Sequence, residues 1–409
     1  MVNKKKYGTA GERAAVSEGE RERGTAGKCH NGRKRAPADD MERDTQVEHR
    51  TDIAHKAGRW YKGDLHLQTA AADGRYAADF AQHKAALREL DFYVPTAPNA
   101  VCGSARRERV MAWPGMEISS SIGRMNLLGA DSEPRAREGI CSHSNEELLQ
   151  ADYEDIISEC KNRGWLIGMS APFDPACRWR WHQAPLADLD CLEITDEKTI
   201  ALSDLLWEDG YRICAVSGSR QDADGMFRAR QAQDVDETPD TWLYMEDLSA
   251  SSLKKAVRAC HGYVSRGCMV RTNLMFGTQL PQAQRELDFE ICLYGCREKP
   301  RIFFRHNGLK HYCTGLRDDA DGWHARGSIR LNEETPYHCI RFGAQMPDGS
   351  FLFYANPITK GTAVHRFITF GEAEDQIMKE TRQQSVRVRQ PLGRIRWAKS
   401  GSRVRFLST

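Results

Sequence analysis

The chain has 409 residues, 40% of them apolar and 28% charged, with a net charge of +2. That is a globular mix with room for two or three domains, and it excludes polyanion binding by bulk charge. No apolar run reaches the length of a bilayer crossing, and none follows the polar start Met1-Val2-Asn3-Lys4-Lys5-Lys6, so neither a membrane span nor a secretory leader is expected.

Residues 1–58 are rich in Lys, Arg, Glu and Gly and poor in large apolar side chains. Such a segment buries too little surface to offset its ordering entropy and reads as disordered. From Trp60 the texture becomes that of a folded domain. Tyr61 to Leu67 reads as a buried strand, residues 77–90 as a helix with Phe80, Leu87 and Leu90 on one face, and Asp91 to Val94 as the next strand. Met111 to Ile118 carries another. A helix capped by Ser144 or Asn145 presents Leu148, Leu149, Tyr153, Ile156, Ile157 and Cys160 as an apolar stripe and ends at Gly164. Trp165 to Met169, Cys191 to Ile194 and Tyr211 to Val216 are further short runs, the last preceded by a helix over residues 200–207. Short strands alternating with amphipathic helices imply βαβ units around a parallel sheet or barrel.

After residue 270 strand-like runs dominate: Arg301 to Phe304, Tyr337 to Ile340 and Phe351 to Tyr354, with Asn307-Gly308 and Asp348-Gly349 as hairpin turns. This predicts a small antiparallel β domain over 271–362. From 363 to 409 the chain turns basic, and Val386 to Arg389, Arg394 to Trp397 and Arg403 to Phe406 alternate apolar and basic residues, a period that suggests strands with one basic face. The 13 cysteines are odd in number and include no CxxC pair, which suits reduced thiols in a cytoplasmic protein better than a disulfide frame or zinc knuckle.

Polar residues end the first strand in Gly63-Asp64-Leu65-His66-Leu67-Gln68-Thr69, with Ala72-Asp73-Gly74 close behind. In barrel-like folds the C-terminal strand ends hold the chemistry. Trp113-Pro114-Gly115-Met116-Glu117-Ile118, Asn126-Leu127-Leu128-Gly129, Leu192-Glu193-Ile194, Gly218-Ser219, Ala256 to Arg266 and Asn356-Pro357-Ile358 follow in order. This ordered set, over roughly 59–360, resembles the PHP-type metal-dependent hydrolase superfamily in its aryl-carbamate-hydrolase-like (CehA/McbA-like) branch. The resemblance implies an α/β fold: a distorted (β/α)7 PHP-type barrel over 59–270, followed by the small β domain. It also implies the family chemistry, metal-dependent ester or phosphoester hydrolysis at up to three divalent ions held by His, Asp and Glu. Such ions bind imidazole and carboxylate readily and lower the pKa of bound water.

The motif positions depart from that pattern. The second histidine of DLHxH is Gln68, TDHN reads Thr96-Ala97-Pro98-Asn99, NHP reads Ser170-Ala171-Pro172, and GSDxH reads Gly218-Ser219-Arg220-Gln221-Asp222. Of the ligand positions His66, Asp73 and Glu117 survive, and Asp222 is a fourth candidate. Arg220 brings a fixed positive charge where a cation would sit. The reading is a catalytically degenerate homologue that keeps a ligand-binding pocket, with Gln68 and Arg220 on it and either no metal or one divalent ion, zinc or manganese. Glu117 needs a counter-charge if buried, from Arg220 or His66, and Arg220 is expected to occupy the vacated metal space and pair with Glu117 or Asp73. His66 is otherwise a hydrogen-bonded barrel histidine, and Asp73 a brace for the turn before Gly74.

The expected partner is a small molecule, with an anionic one favoured by Arg220, and neither membrane nor nucleic acid. Two alternatives stand beside this. One is a residual one-metal phosphoesterase or esterase on His66, Asp73, Glu117 and Asp222. The other is nucleic-acid or anionic-surface binding through the basic tail. Trp179, Trp181 and His182, in an Arg-rich stretch, are read as either packing or a ligand-stacking platform.

Overall fold

The computed structural model describes residues 58–68, 74–102, 106–107, 110–120, 123–132, 150–175, 178–219, 238–296, 298–319 and 322–389. They fall in the unit His55–Thr409. In chain order, the first elements are β1 (Arg59–Gln68), α1 (Gly74–Leu87), β2 (Phe92–Thr96), β3 (Arg106–Arg107), β4 (Val110–Ala112), β5 (Gly115–Ser120) and β6 (Gly123–Leu128). Next come α2 (Gln150–Arg163), β7 (Leu166–Ser170), β8 (Cys191–Glu193), α3 (Glu197–Glu208), β9 (Cys214–Val216), β10 (Asp240–Met245), α4 (Ala250–Ala259) and β11 (Gly262–Ser265).

The architecture is mixed α/β. β1 pairs parallel with β2 and antiparallel with β10, β2 pairs parallel with β4, and β10 pairs antiparallel with β11. A second sheet runs β5-β6-β7-β8-β9, antiparallel through β7 and parallel from β7 to β9. The two sheets are stitched from β1 and from the residues just past β2. Glu117 N donates to Ala97 O at 3.1 Å and Asn99 N to Glu117 O at 2.7 Å, while Leu65 N donates to Ser217 O at 3.2 Å. The strands therefore depart from a uniform series of parallel βα units. The run Met111 to Ile118, expected to be one strand, is two: β4 stays beside β2, and after Trp113-Pro114 the chain enters the second sheet as β5.

Local sequence explains the helices. In α2, Tyr153, Ile156, Ile157 and Cys160 recur at helical spacing and are all buried, and Gly164 ends the helix at φ 67. The expected start of this helix at residues 144–149 lies outside the described residues. α3 opens on a reciprocal capping box: Asp196 accepts from the Thr199 amide at 2.9 Å, and Thr199 Oγ1 accepts from the Asp196 amide at 3.0 Å.

Residues 269–361 are largely antiparallel β structure. Strands Glu286–Tyr294 and Gly322–Arg330 form the centre of one sheet, and strand Phe351–Ala355 joins the others to β11. Leu287, Phe289 and Ile291 alternate inward and meet Phe304 and Phe342 in a shared aromatic core. Asn307 and Gly308, at φ 46 and 83, make the tight turn of a hairpin, as their sequence predicts.

The tail differs from expectation. Residues 386–389, predicted as strand, belong to α5 (Phe370–Arg389), whose buried Phe370, Ala373 and Ile377 sit at helical spacing. Four alternating residues fit either period, and the preceding helical anchors decide it. Residues 394–397 and 403–406 lie outside the described residues. No described helix is long and apolar enough to cross a membrane.

Candidate functional site

β1 carries His66 inward near its end, β5 carries Glu117, β7 ends on Ser170 and β8 ends on Glu193. All four side chains are buried, none more than 2% exposed. His66 Nε2 stands 2.9 Å from Glu117 Oε2, an ion-pair contact not aligned as a hydrogen bond, and its Nδ1 stands 3.3 Å from Glu193 Oε2. Ser170 Oγ donates to Glu193 Oε2 at 2.6 Å and lies 3.2 Å from His66 Nδ1. The imidazole is thus flanked on both nitrogens by carboxylates.

Electrostatics follow from that arrangement. Burial is the largest single influence on the ring and opposes its charging. The Glu193 charge and the close contacts with Glu117 and Glu193 together outweigh burial and push the His66 pKa up to about 9. That direction favours the imidazolium form at neutral pH. Arg124 Nε, 3.9 Å from Glu117 Oε1, brings a second positive charge to the two carboxylates. Among the described residues, a charged His66 and Arg124 would offset Glu117 and Glu193, as an interior of low dielectric favours.

Asp64 organises the strand end. It accepts from the backbone amides of His66 at 2.9 Å and Ser219 at 3.1 Å, and it pairs with Arg88 at 2.5 Å. Arg88 also reaches Asp240 at 2.6 Å. Asp64 therefore ties the end of β1 to the segment after β9. Gly218 sits so close that a Cβ there would meet the His66 Cβ at 2.2 Å. Beside the cluster, Asn126, Gly168 and Met169 help line a void of about 10 Å³, the size of one water.

Of the sequence candidates, His66 and Glu117 are brought together at 2.9 Å, while the expected pairing of Arg220 with Glu117 or Asp73 falls on residues outside those described. Gln68 ends β1, half-buried and in register with Thr96. Asp73, Arg220 and Asp222 lie outside the described residues. Trp179 and Trp181 are core residues, packed with Tyr153 and Phe370, and do not form a stacking platform. Trp179 Nε1 donates to Arg124 O at 2.8 Å, and its ring would block any Cβ at Gly123. His182 faces Glu374 at 3.2 Å. In the sequence Glu193 falls on a strand and Ser170 beside the vacated histidine position at Ala171, and neither is assigned a role there. The available signal for Glu193 was a lone carboxylate ending the apolar run Cys191-Leu192.

His, Asp and Glu suit divalent ions in kind. Here the two carboxylates contact different nitrogens of one imidazole. Among the described residues no group of three or more His, Cys, Asp or Glu is placed to hold a metal ion.

No family model matches the chain, and no curated protein matches it. Among solved structures it is similar to a two-domain protein from Bacteroides vulgatus ATCC 8482 that contains a predicted PHP-like metal-dependent phosphoesterase. The identity is 13% and the TM-score 0.39, over 73% of this chain and 95% of that one.

Proposed function

We propose that this chain is a catalytically degenerate relative of the PHP-type phosphoesterases, of the aryl-carbamate-hydrolase-like branch, which binds a small molecule and has given up multi-metal ester hydrolysis. The reading rests on the ordered sequence motifs for the family and on one observation for the degeneracy: His66 is contacted on both ring nitrogens by Glu117 and Glu193. A metal-free site of this ancestry needs some other positive charge among its carboxylates, and the protonated ring together with Arg124 supplies it. Ala171, at the position of a family histidine, offers no ligand and keeps a left-handed backbone at φ 41.

The test uses full-length protein purified without chelator. Elemental analysis should give substoichiometric transition metal, and nitrophenyl phosphate and acetate should not turn over faster with added zinc or manganese. Two or more tightly bound metals per chain overturn the proposal. So does metal-stimulated turnover that disappears in His66→Ala, the outcome expected of a one-metal enzyme on His66, Asp73, Glu117 and Asp222. Salt-sensitive nucleic-acid binding lost on deleting residues 379–409 would instead place the function in the tail.

A further inference from the structure

A cavity of about 430 Å³ lies between α3, the hairpin over 301–312, the strands Tyr337–Gln345 and Phe351–Ala355, and α5. None of His66, Glu117, Ser170 and Glu193 lines it. Its floor holds a buried ion pair: Arg341 donates Nε to Asp204 Oδ1 at 2.5 Å and Nη2 to Oδ2 at 3.0 Å. Tyr354 donates its hydroxyl to Asp204 Oδ1 at 3.1 Å, and Arg305 stands 3.4 Å from Asp204 while donating to Glu208 at 3.0 Å. Asp204 is thus engaged by Arg341 and a phenol with Arg305 close by, and Glu208 by Arg305.

Two cationic donors remain. Arg341 Nη1 makes no hydrogen bond among the described residues. Lys310 Nζ has no carboxylate within ion-pair reach among them; it stands 3.5 Å from Gln345 Oε1 and 4.3 Å from the centre of the Phe303 ring. Burial first, and then the Arg341 charge, draw the Lys310 pKa below its ordinary value, against Glu197 and Asp204, which raise it. An anion at that point offsets the repulsion between the cations. The walls are apolar, formed by Phe303, Phe351, Ile200 and Ala201. Glu197 and Glu380 also line the cavity, so that its lining holds four cations with Lys198 counted against three carboxylates, and Glu208 behind Arg305 brings the charges to balance.

We infer that this cavity binds a small organic monoanion, its acidic group on Lys310 and Arg341 and its aryl or alkyl body against Phe303, Phe351 and Ile200. The volume suits a single ligand of ordinary metabolite size. The carboxylates Glu197 and Glu380 disfavour a polyanion. The inference stands apart from the His66 cluster and holds whichever way the metal question is answered.

The test is a fluorescence titration of the full chain with anilinonaphthalene sulfonate, followed by displacement with phenylbutyrate and with the uncharged phenylbutanol. Saturable one-site binding is expected, with the acid displacing the probe at a concentration at least about tenfold lower than the alcohol, the size of one charge-assisted hydrogen bond. Lys310→Glu, at an exposed position, should weaken the acid by about tenfold or more while the circular dichroism spectrum and urea midpoint stay those of the wild type. Ala201→Trp should abolish binding by filling the space. If Ala201→Trp does not fold, Lys310→Glu alone decides. Non-saturable probe binding, equal displacement by acid and alcohol, or an affinity indifferent to Lys310→Glu overturns the inference.

Discussion

Changing pH through the titration of His66 should change stability in a direction fixed by its surroundings. The ordinary histidine value is 6.5, and the two flanking glutamates push the folded value up to about 9. Because the folded value is the higher one, the charged ring stabilises the fold. Its contribution is complete below pH 6.5 and is lost as pH rises through 9. At about 1.4 kcal/mol for each pH unit between those values, the loss is on the order of 3 kcal/mol. Urea unfolding of wild type and His66→Gln across this interval isolates the effect, since other titrating groups cancel in the difference. The variant leaves Glu117 and Glu193 with a buried charge deficit and should be less stable near neutral pH by about 3–5 kcal/mol. The gap should close as pH rises, because the wild type alone loses its imidazolium. Parallel profiles for the two proteins, or a wild type that gains stability across the interval, would refute the reasoning.

Arg341→Ala should destabilise the chain by about 3 kcal/mol in urea, because it strips the bidentate partner from buried Asp204; a change under about 0.5 kcal/mol, the usual surface effect, would count against that pair. Gly218→Ala should lower the melting temperature and flatten the pH dependence described above, because its Cβ would lie 2.7 Å from His66 backbone atoms that cannot rotate away; a variant with wild-type melting and titration contradicts the packing. Asp196→Ala should cost about 1 kcal/mol by removing the α3 cap, and an unchanged urea midpoint would show that the capping box contributes nothing.

Local patterns were legible in the sequence where one element decides them. The apolar stripe of α2 and the Asn307-Gly308 turn follow from spacing and backbone preference alone, and so does β1 with its polar end. The site was legible only in part. His66 and Glu117 stand out as polar residues in apolar strands, but the contact of His66 with Glu193 spans 127 positions and depends on the order of strands in the second sheet. Asp204 and Arg341, 137 positions apart, pair for the same nonlocal reason. Trp179 and Trp181 show the converse: an Arg-rich aromatic stretch looks the same in sequence whether its rings face solvent or Phe370. The basic tail misled because alternation over four residues does not distinguish a strand from the end of a helix already anchored upstream.

The proposed function places a proton on His66 in the stead of a metal, and nitrogen NMR of histidine-labelled protein, with His66→Gln to assign the signal, is the direct test. Both ring nitrogens of His66 should carry a hydrogen at pH 7.5, and equimolar zinc or manganese should leave the signal unmoved and unbroadened. A ring nitrogen without its hydrogen that shifts or broadens on adding one equivalent of metal would contradict it.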